Sequence, residues 1–126
     1  MKSQDWYLLA GLVAVMLFGN FYTRSRRSPG APIKAALAQI FSFKMGLEMF
    51  KDDNGHYPTQ TNGLAGLVVQ PSGATNWHQY FDEVPLDPWA HPYLYIYPGE
   101  HNTNSFDLSS AGPDGIPGTA DDIGNW

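Results

Sequence analysis

The sequence predicts an α+β domain carried behind an N-terminal membrane helix. Three observations lead there: an uncharged apolar run over residues 6–22, one long stripe of apolar residues at helical spacing from Ile33 to Phe50, and β-rich segments that all follow that stripe. Helices first and strands afterwards place a small antiparallel sheet against the long helix. The 126 residues leave room for one folded domain of about 90 residues with an appendage, and a deep enzyme cleft is not expected. Of the chain's 13 Gly and 10 Pro, seven of each fall in the second half, so the elements there are short and the loops many.

Charge divides the chain. Residues 1–34 carry five Lys/Arg against one Asp, whereas residues 35–126 carry two Lys against eleven Asp/Glu. A folded part this acidic is a poor partner for nucleic acid, because phosphate binding relies on neutralisation by Lys and Arg. Cations are its natural counterparts. There is no cysteine, so disulfides, thiolate metal sites and a Cys nucleophile are excluded.

Residues 1–27 read as a membrane anchor helix with a basic flank. The 17-residue run 6–22 carries no charge and is at the short end of what spans a bilayer, with Trp6, Tyr7 and Tyr22 at its ends like an interfacial aromatic belt. A cleaved leader is the competing reading, with Lys2 as its basic region and Thr23-Arg24-Ser25 as a cleavage site; a buried core helix is the third. Arg24, Arg26 and Arg27 follow the span, so the positive-inside rule places the C-terminal flank in the cytoplasm. Residues 28–32, Ser-Pro-Gly-Ala-Pro, interrupt the helix and form a hinge.

Residues 33–126 form the domain. Pro32 suits a first helical turn, and Ile33, Ala36, Ile40, Phe43, Leu47 and Phe50 recur at steps of three and four, which predicts a helix over 32–52 packed on the core. Lys34, Lys44, Glu48 and Lys51 lie off the stripe and mark a solvated face; a coiled-coil seam needs more heptads than the stripe contains. Asn54-Gly55 ends the helix and Pro58 prevents continuation. A short second helix is expected over 62–69, with Leu64, Leu67 and Val68 inward and Pro71 as its stop. Residues 71–92 hold four prolines together with Trp77, Tyr80, Phe81 and Trp89, a loop pinned to the core by its rings. Residues 93–97 are β-rich, Pro98-Gly99 is a turn, and 106–110 is the antiparallel return strand.

The chemistry concentrates in residues 111–122, Ala-Gly-Pro-Asp-Gly-Ile-Pro-Gly-Thr-Ala-Asp-Asp. Asp114, Asp121 and Asp122 repel one another in so short a loop unless a positive charge sits between them, and no Lys or Arg follows position 51. Ca²⁺ takes carboxylate and carbonyl oxygens, so these three side chains with the carbonyls of Ala111 and Ile116 make a candidate site. The spacing is not that of an EF-hand. The alternative is that the aspartates are turn formers accepting backbone N–H bonds. Zn²⁺ is disfavoured, because His56, His78, His91 and His101 are scattered. Carboxylate pairs such as Asp82 with Glu83, or Asp114 with Asp121, come without a nucleophile motif, so no enzymatic activity is expected.

Several strings stand in a distinctive order: Asp53-Asn54-Gly55-His56-Tyr57-Pro58, Asn62-Gly63-Leu64, Asp87-Pro88-Trp89-Ala90-His91-Pro92-Tyr93, Pro98-Gly99-Glu100-His101, Phe106-Asp107-Leu108, Pro113-Asp114-Gly115 and Asp122-Ile123-Gly124-Asn125-Trp126. Over residues 34–126 this set resembles the periplasmic domain of the major pseudopilin of type II secretion systems. The resemblance implies a pilin-like α+β fold, polymerisation with itself and with other secretion-system subunits into a short filament, and Ca²⁺ held by Asp114, Asp121 and Asp122. It also implies a single pass through the inner membrane with the domain outside the cytoplasm, against the basic flank. The sequence departs from the family at its start: no Gly-Phe-Thr-Leu-Ile-Glu-like peptidase site lies between Met1 and Trp6, and no glutamate precedes Glu48. A second reading follows from that departure: a membrane-tethered binding module that displays Trp77, Tyr80, Trp89 and Tyr97 without polymerising.

Overall fold

Pro32 stands in the first turn of a 24-residue helix, α1 (Ala31–Asn54), where its missing N–H has no partner to lose. The computed structural model describes Ser28 and residues 30–126. The anchor expected over residues 6–22 and Pro29 of the hinge lie outside the described residues. Among the described residues, no helix is long and apolar enough to cross a membrane. Ala31 N donates to Ser28 O at 2.9 Å, so Ala31 and Pro32 of the expected hinge belong to the first turn of the helix.

Ala36, Ile40, Phe43, Leu47 and Phe50 form the buried face of α1, as their spacing predicts, with Gly46 buried among them. Ile33 does not join them. It is 44% exposed, because the packed face of α1 begins one turn later at Ala36. Phe43, Leu47 and Phe50 are almost wholly removed from water and meet Tyr57, Leu64, Leu67, Tyr93, Tyr95, Phe106 and Leu108 in one core. Burying a side chain of this size stabilises by about 1.5–3 kcal/mol. Asn54 closes the helix twice, donating from Nδ2 to Phe50 O at 3.0 Å and accepting from Asn76 N on Oδ1 at 3.2 Å.

The expected second helix is a five-residue 3₁₀ segment, Gly63–Leu67, with Leu64 and Leu67 buried and Val68 half-buried. Three strands follow: β1 (Leu94–Ile96), β2 (Asp107–Ser110) and β3 (Ile123–Gly124). They form an antiparallel sheet in the order β1-β2-β3, with Tyr95 opposite Leu108 and Ser110 opposite Ile123. All four residues of β2 are buried, because it lies between two neighbours. The free edge of β1 is covered by one amide: Gln60 Nε2 donates to Tyr95 O at 2.8 Å and Gln60 Oε1 accepts from Tyr97 N at 2.7 Å.

The aromatic loop is pinned as its composition predicts. Trp77 Nε1 donates to Gly66 O at 2.8 Å, Tyr80 OH donates to Asp53 Oδ2 at 2.8 Å, and Phe81 lies 5.5 Å from Phe43, ring centre to ring centre. Trp77, Tyr80 and Tyr97 are partly buried and pack against the core, and Trp89 is half-buried. Burial together with the Asp53 carboxylate pushes the Tyr80 hydroxyl up to about 12, so it stays a donor at any physiological pH.

Candidate metal centre

The pairing of Ser110 with Ile123 brings the two ends of the acidic loop together. Between them the chain must double back within twelve residues, and two glycines make that possible. Gly112 has φ +72°, and a Cβ there would overlap the Asp121 carbonyl; Gly115 has φ +67°, and a Cβ would stand 2.7 Å from His91 Cε1. The loop therefore closes on itself at Gly112 and rests on the His91 ring at Gly115.

His91 is itself held by a buried carboxylate. Asp87 Oδ1 accepts from Trp89 N at 3.0 Å and His91 N at 2.8 Å, while Asp87 Oδ2 accepts from Ser110 Oγ at 2.6 Å. Ser110 Oγ in turn accepts from Gly112 N at 3.1 Å. The entrance of the loop is thereby tied to the turn at residues 87–91, and Ala111 is buried there.

The structure brings Asp114, Asp121 and Asp122 together: one carboxylate oxygen from each lies within 4.8 Å of the others. Part of their capacity goes to backbone donors, with Asp114 N bonded to Asp121 Oδ2 at 3.1 Å, Ile116 N to Asp114 Oδ1 at 2.9 Å and Gly118 N to Asp122 Oδ2 at 2.6 Å. At the centre stands a group that the sequence reading missed. Thr119 Oγ1 lies 2.7 Å from Asp114 Oδ2, 3.0 Å from Ile116 O, 2.5 Å from Asp121 Oδ1 and 3.3 Å from Asp122 Oδ1. A hydroxyl has one proton to give, so it serves only one of these four acceptors at a time. The hydrogen bond from Thr119, with those from the loop backbone, holds the Asp121 carboxyl below the usual carboxylate range.

Every atom in this cluster is a hard oxygen: three carboxylates, the Ile116 carbonyl and the Thr119 hydroxyl. That is the donor set Ca²⁺ takes, and it contains neither nitrogen nor sulfur for Zn²⁺. The Ile116 carbonyl lies 3.0 Å from Thr119 Oγ1 in this cluster. Ala111 has no hydrogen bond to it and sits at its buried edge. Of the histidines, His91 underlies the loop, and His101 stacks on Trp126 at 4.0 Å between ring centres.

Beside the loop, a second carboxylate is fully occupied by donors. Asp107 accepts from the backbone N–H groups of Glu100, His101 and Asn102 at 2.8–2.9 Å, from Asn102 Nδ2 at 3.1 Å and from His101 Nδ1 at 3.2 Å. Burial pushes its carboxyl up, but these donors outweigh burial and hold it at about 2.

A family model described as type II secretion system (T2SS), protein G, matches residues 25–126. The chain belongs to this family. Type II secretion system core protein G of Escherichia coli (strain K12) is 41% identical over 124 residues, covering 94% of this chain and 79% of the relative. The Pseudomonas aeruginosa protein of the same name is 35% identical over 127 residues, covering 94% of this chain and 86% of the relative. The crystal structure of the major pseudopilin from the type 2 secretion system of enterohaemorrhagic Escherichia coli superimposes with a TM-score of 0.68 at 37% identity, covering 76% of this chain and 83% of that one. The resemblance carried by the ordered strings of residues 34–126 is thus borne out, as is the pilin-like α+β fold. In this chain the long helix α1 packs on the small antiparallel sheet through their shared core.

Proposed function

We propose that this chain is a non-enzymatic structural subunit of a type II secretion filament, polymerising with itself and with other subunits of the system. It is held in the inner membrane by residues 6–22, with its domain on the far side from the cytoplasm. The C-terminal loop is closed by Ca²⁺ bound to Asp114, Asp121 and Asp122, with the Ile116 carbonyl and the Thr119 hydroxyl beside them. Match to the family over residues 25–126 supports the structural role. The observation that carries the calcium reading is the Thr119 hydroxyl, ringed by four acceptors at 2.5–3.3 Å that its single proton does not satisfy. A bound divalent cation would neutralise the carboxylates and fix the loop against β3 and His91.

Thermal unfolding of the full chain in detergent, with Ca²⁺ or with chelator, tests this reading. A ligand bound only to the folded state stabilises it by about 2.7 kcal/mol at one hundred times its Kd. For a domain of this size that is roughly 10–20 °C in Tm. Asp114→Ala should abolish the difference between the two conditions, and Thr119→Val should reduce it. Identical melting curves with Ca²⁺ and with chelator overturn the calcium reading.

A further inference from the structure

The exposed face of α1 is not uniformly polar. Ile33, Leu37, Phe41, Met45 and Met49 recur at every fourth position and all are exposed, Phe41 by 64%. Rows of side chains four apart are the ridges that seat in the grooves of a packed partner. An apolar row running the length of a helix marks an interaction surface more than it marks a solvated face.

On another flank of α1, on the order of 100° round the helix at 3.6 residues per turn, lies a groove of about 280 Å³ lined by Ala38, Gln39, Ser42, Phe43, Phe81 and Pro85. A cavity of about 150 Å³ is enough to admit a benzene ring. The charges beside the two features are opposite. All lysines among the described residues lie on α1, and Lys34 and Lys44 flank Phe41. Between Phe81 and Pro85, on the rim of the groove, Asp82 and Glu83 are exposed, and among the described residues neither pairs with a cation. Ridge and groove occupy different flanks, so the ridge of one copy can seat in the groove of a second while its own groove takes the ridge of a third. A contact of that kind is heterologous and propagates into an open assembly.

We propose that a second copy of this chain fills the groove: the Phe41 ridge of one copy seats against Phe81 and Pro85 of the next, with Lys44 facing Asp82 and Glu83. The proposal rests on the filament reading above and specifies which surfaces meet. The absence of cysteine from the chain makes the test direct, because the introduced thiols are the only ones it carries. Full-length Lys44→Cys and Glu83→Cys are expressed singly, together in one chain, and as a mixture of the two single variants, then oxidised in membranes that carry assembled filaments. The expected result is a cross-linked dimer from the mixture, a ladder of multimers from the double variant, and neither from either single variant. Phe41→Ala in the same background should reduce the ladder several-fold. A dimer from Lys44→Cys alone means ridge-to-ridge packing and overturns the heterologous contact. Filaments visible by electron microscopy without any cross-link overturn this contact and leave the filament reading standing. Wild-type protein that never assembles overturns the filament reading, and this contact with it.

Discussion

Replacing Asp107 by asparagine isolates the carboxylate that organises the loop between β1 and β2. In the folded chain Asp107 is 2% exposed and accepts from three backbone N–H groups, the Asn102 amide and the His101 ring. These hold its carboxyl at about 2, against an ordinary value of 3.8. One pH unit of separation between the folded and unfolded values is worth about 1.4 kcal/mol, so Asp107 contributes about 2 kcal/mol of pH-dependent stability. Its folded value is the lower one. The contribution is therefore fully present above about pH 4 and disappears as pH falls through about 2. Asp107→Asn puts an NH₂ where an acceptor is needed, and its deficit relative to wild type should be largest at neutral pH. Urea unfolding of both proteins from pH 7 to pH 2, in chelator throughout so that neither binds metal, reads that deficit directly. Titrating groups that do not touch Asp107 are shared by the two proteins and cancel in the difference. The deficit should shrink by about 2 kcal/mol between pH 5 and pH 2. A deficit that stays constant across that range refutes the assignment of the stability to the ionised carboxylate.

Two further substitutions test the packing around the site. Asn125→Ala removes an acceptor from Leu108 N (2.9 Å) and a donor to Phe106 O (3.1 Å), so a buried N–H is left unpaired. The expected loss is about 1–3 kcal/mol in urea unfolding, with hydrogen exchange at Leu108 accelerated. Gly46→Ala places a methyl group where the Phe81 ring now lies, so the ring must move. It should cost about 1–3 kcal/mol by overpacking and should also weaken the cross-link between Lys44→Cys and Glu83→Cys, because Phe81 lines the groove.

The long helix was legible because its buried residues repeat at three and four, and that periodicity depends on the core alone. The error at Ile33 has a definite cause. α1 carries two apolar rows, one buried from Ala36 to Phe50 and one exposed at every fourth position from Ile33 to Met49. A period of three and four fits residues of both rows, so spacing does not tell which face meets the core. The strand at residues 94–96 was legible from its β-branched and aromatic content, and that at 107–110 as the return segment after the Pro98-Gly99 turn and its polar loop. β3 was not, because two residues carry no pattern. What holds it in place is Asn125, whose backbone N–H donates to Leu108 O at 3.1 Å while its side chain bonds both Leu108 N and Phe106 O. A single asparagine thus extends the pairing with β2 beyond the last strand residue, which no propensity scale records.

The acidic loop separates what composition can say from what only a folded chain can. Three aspartates in a twelve-residue loop, with no Lys or Arg after position 51, are an electrostatic anomaly visible in the sequence, and the structure brings a carboxylate oxygen of each within 4.8 Å of the others. Thr119 gave no such signal, since a lone hydroxyl in a Gly/Pro-rich turn is an ordinary turn residue. Its place depends on Gly112 and Gly115, whose left-handed backbones fold the loop over so that position 119 faces positions 114, 116, 121 and 122 together. The glycines are therefore as much a part of the site as the carboxylates. Adding a Cβ at Gly112 meets the carbonyl of Asp121, and that would separate the two halves of the cluster while every oxygen remained present in the chain.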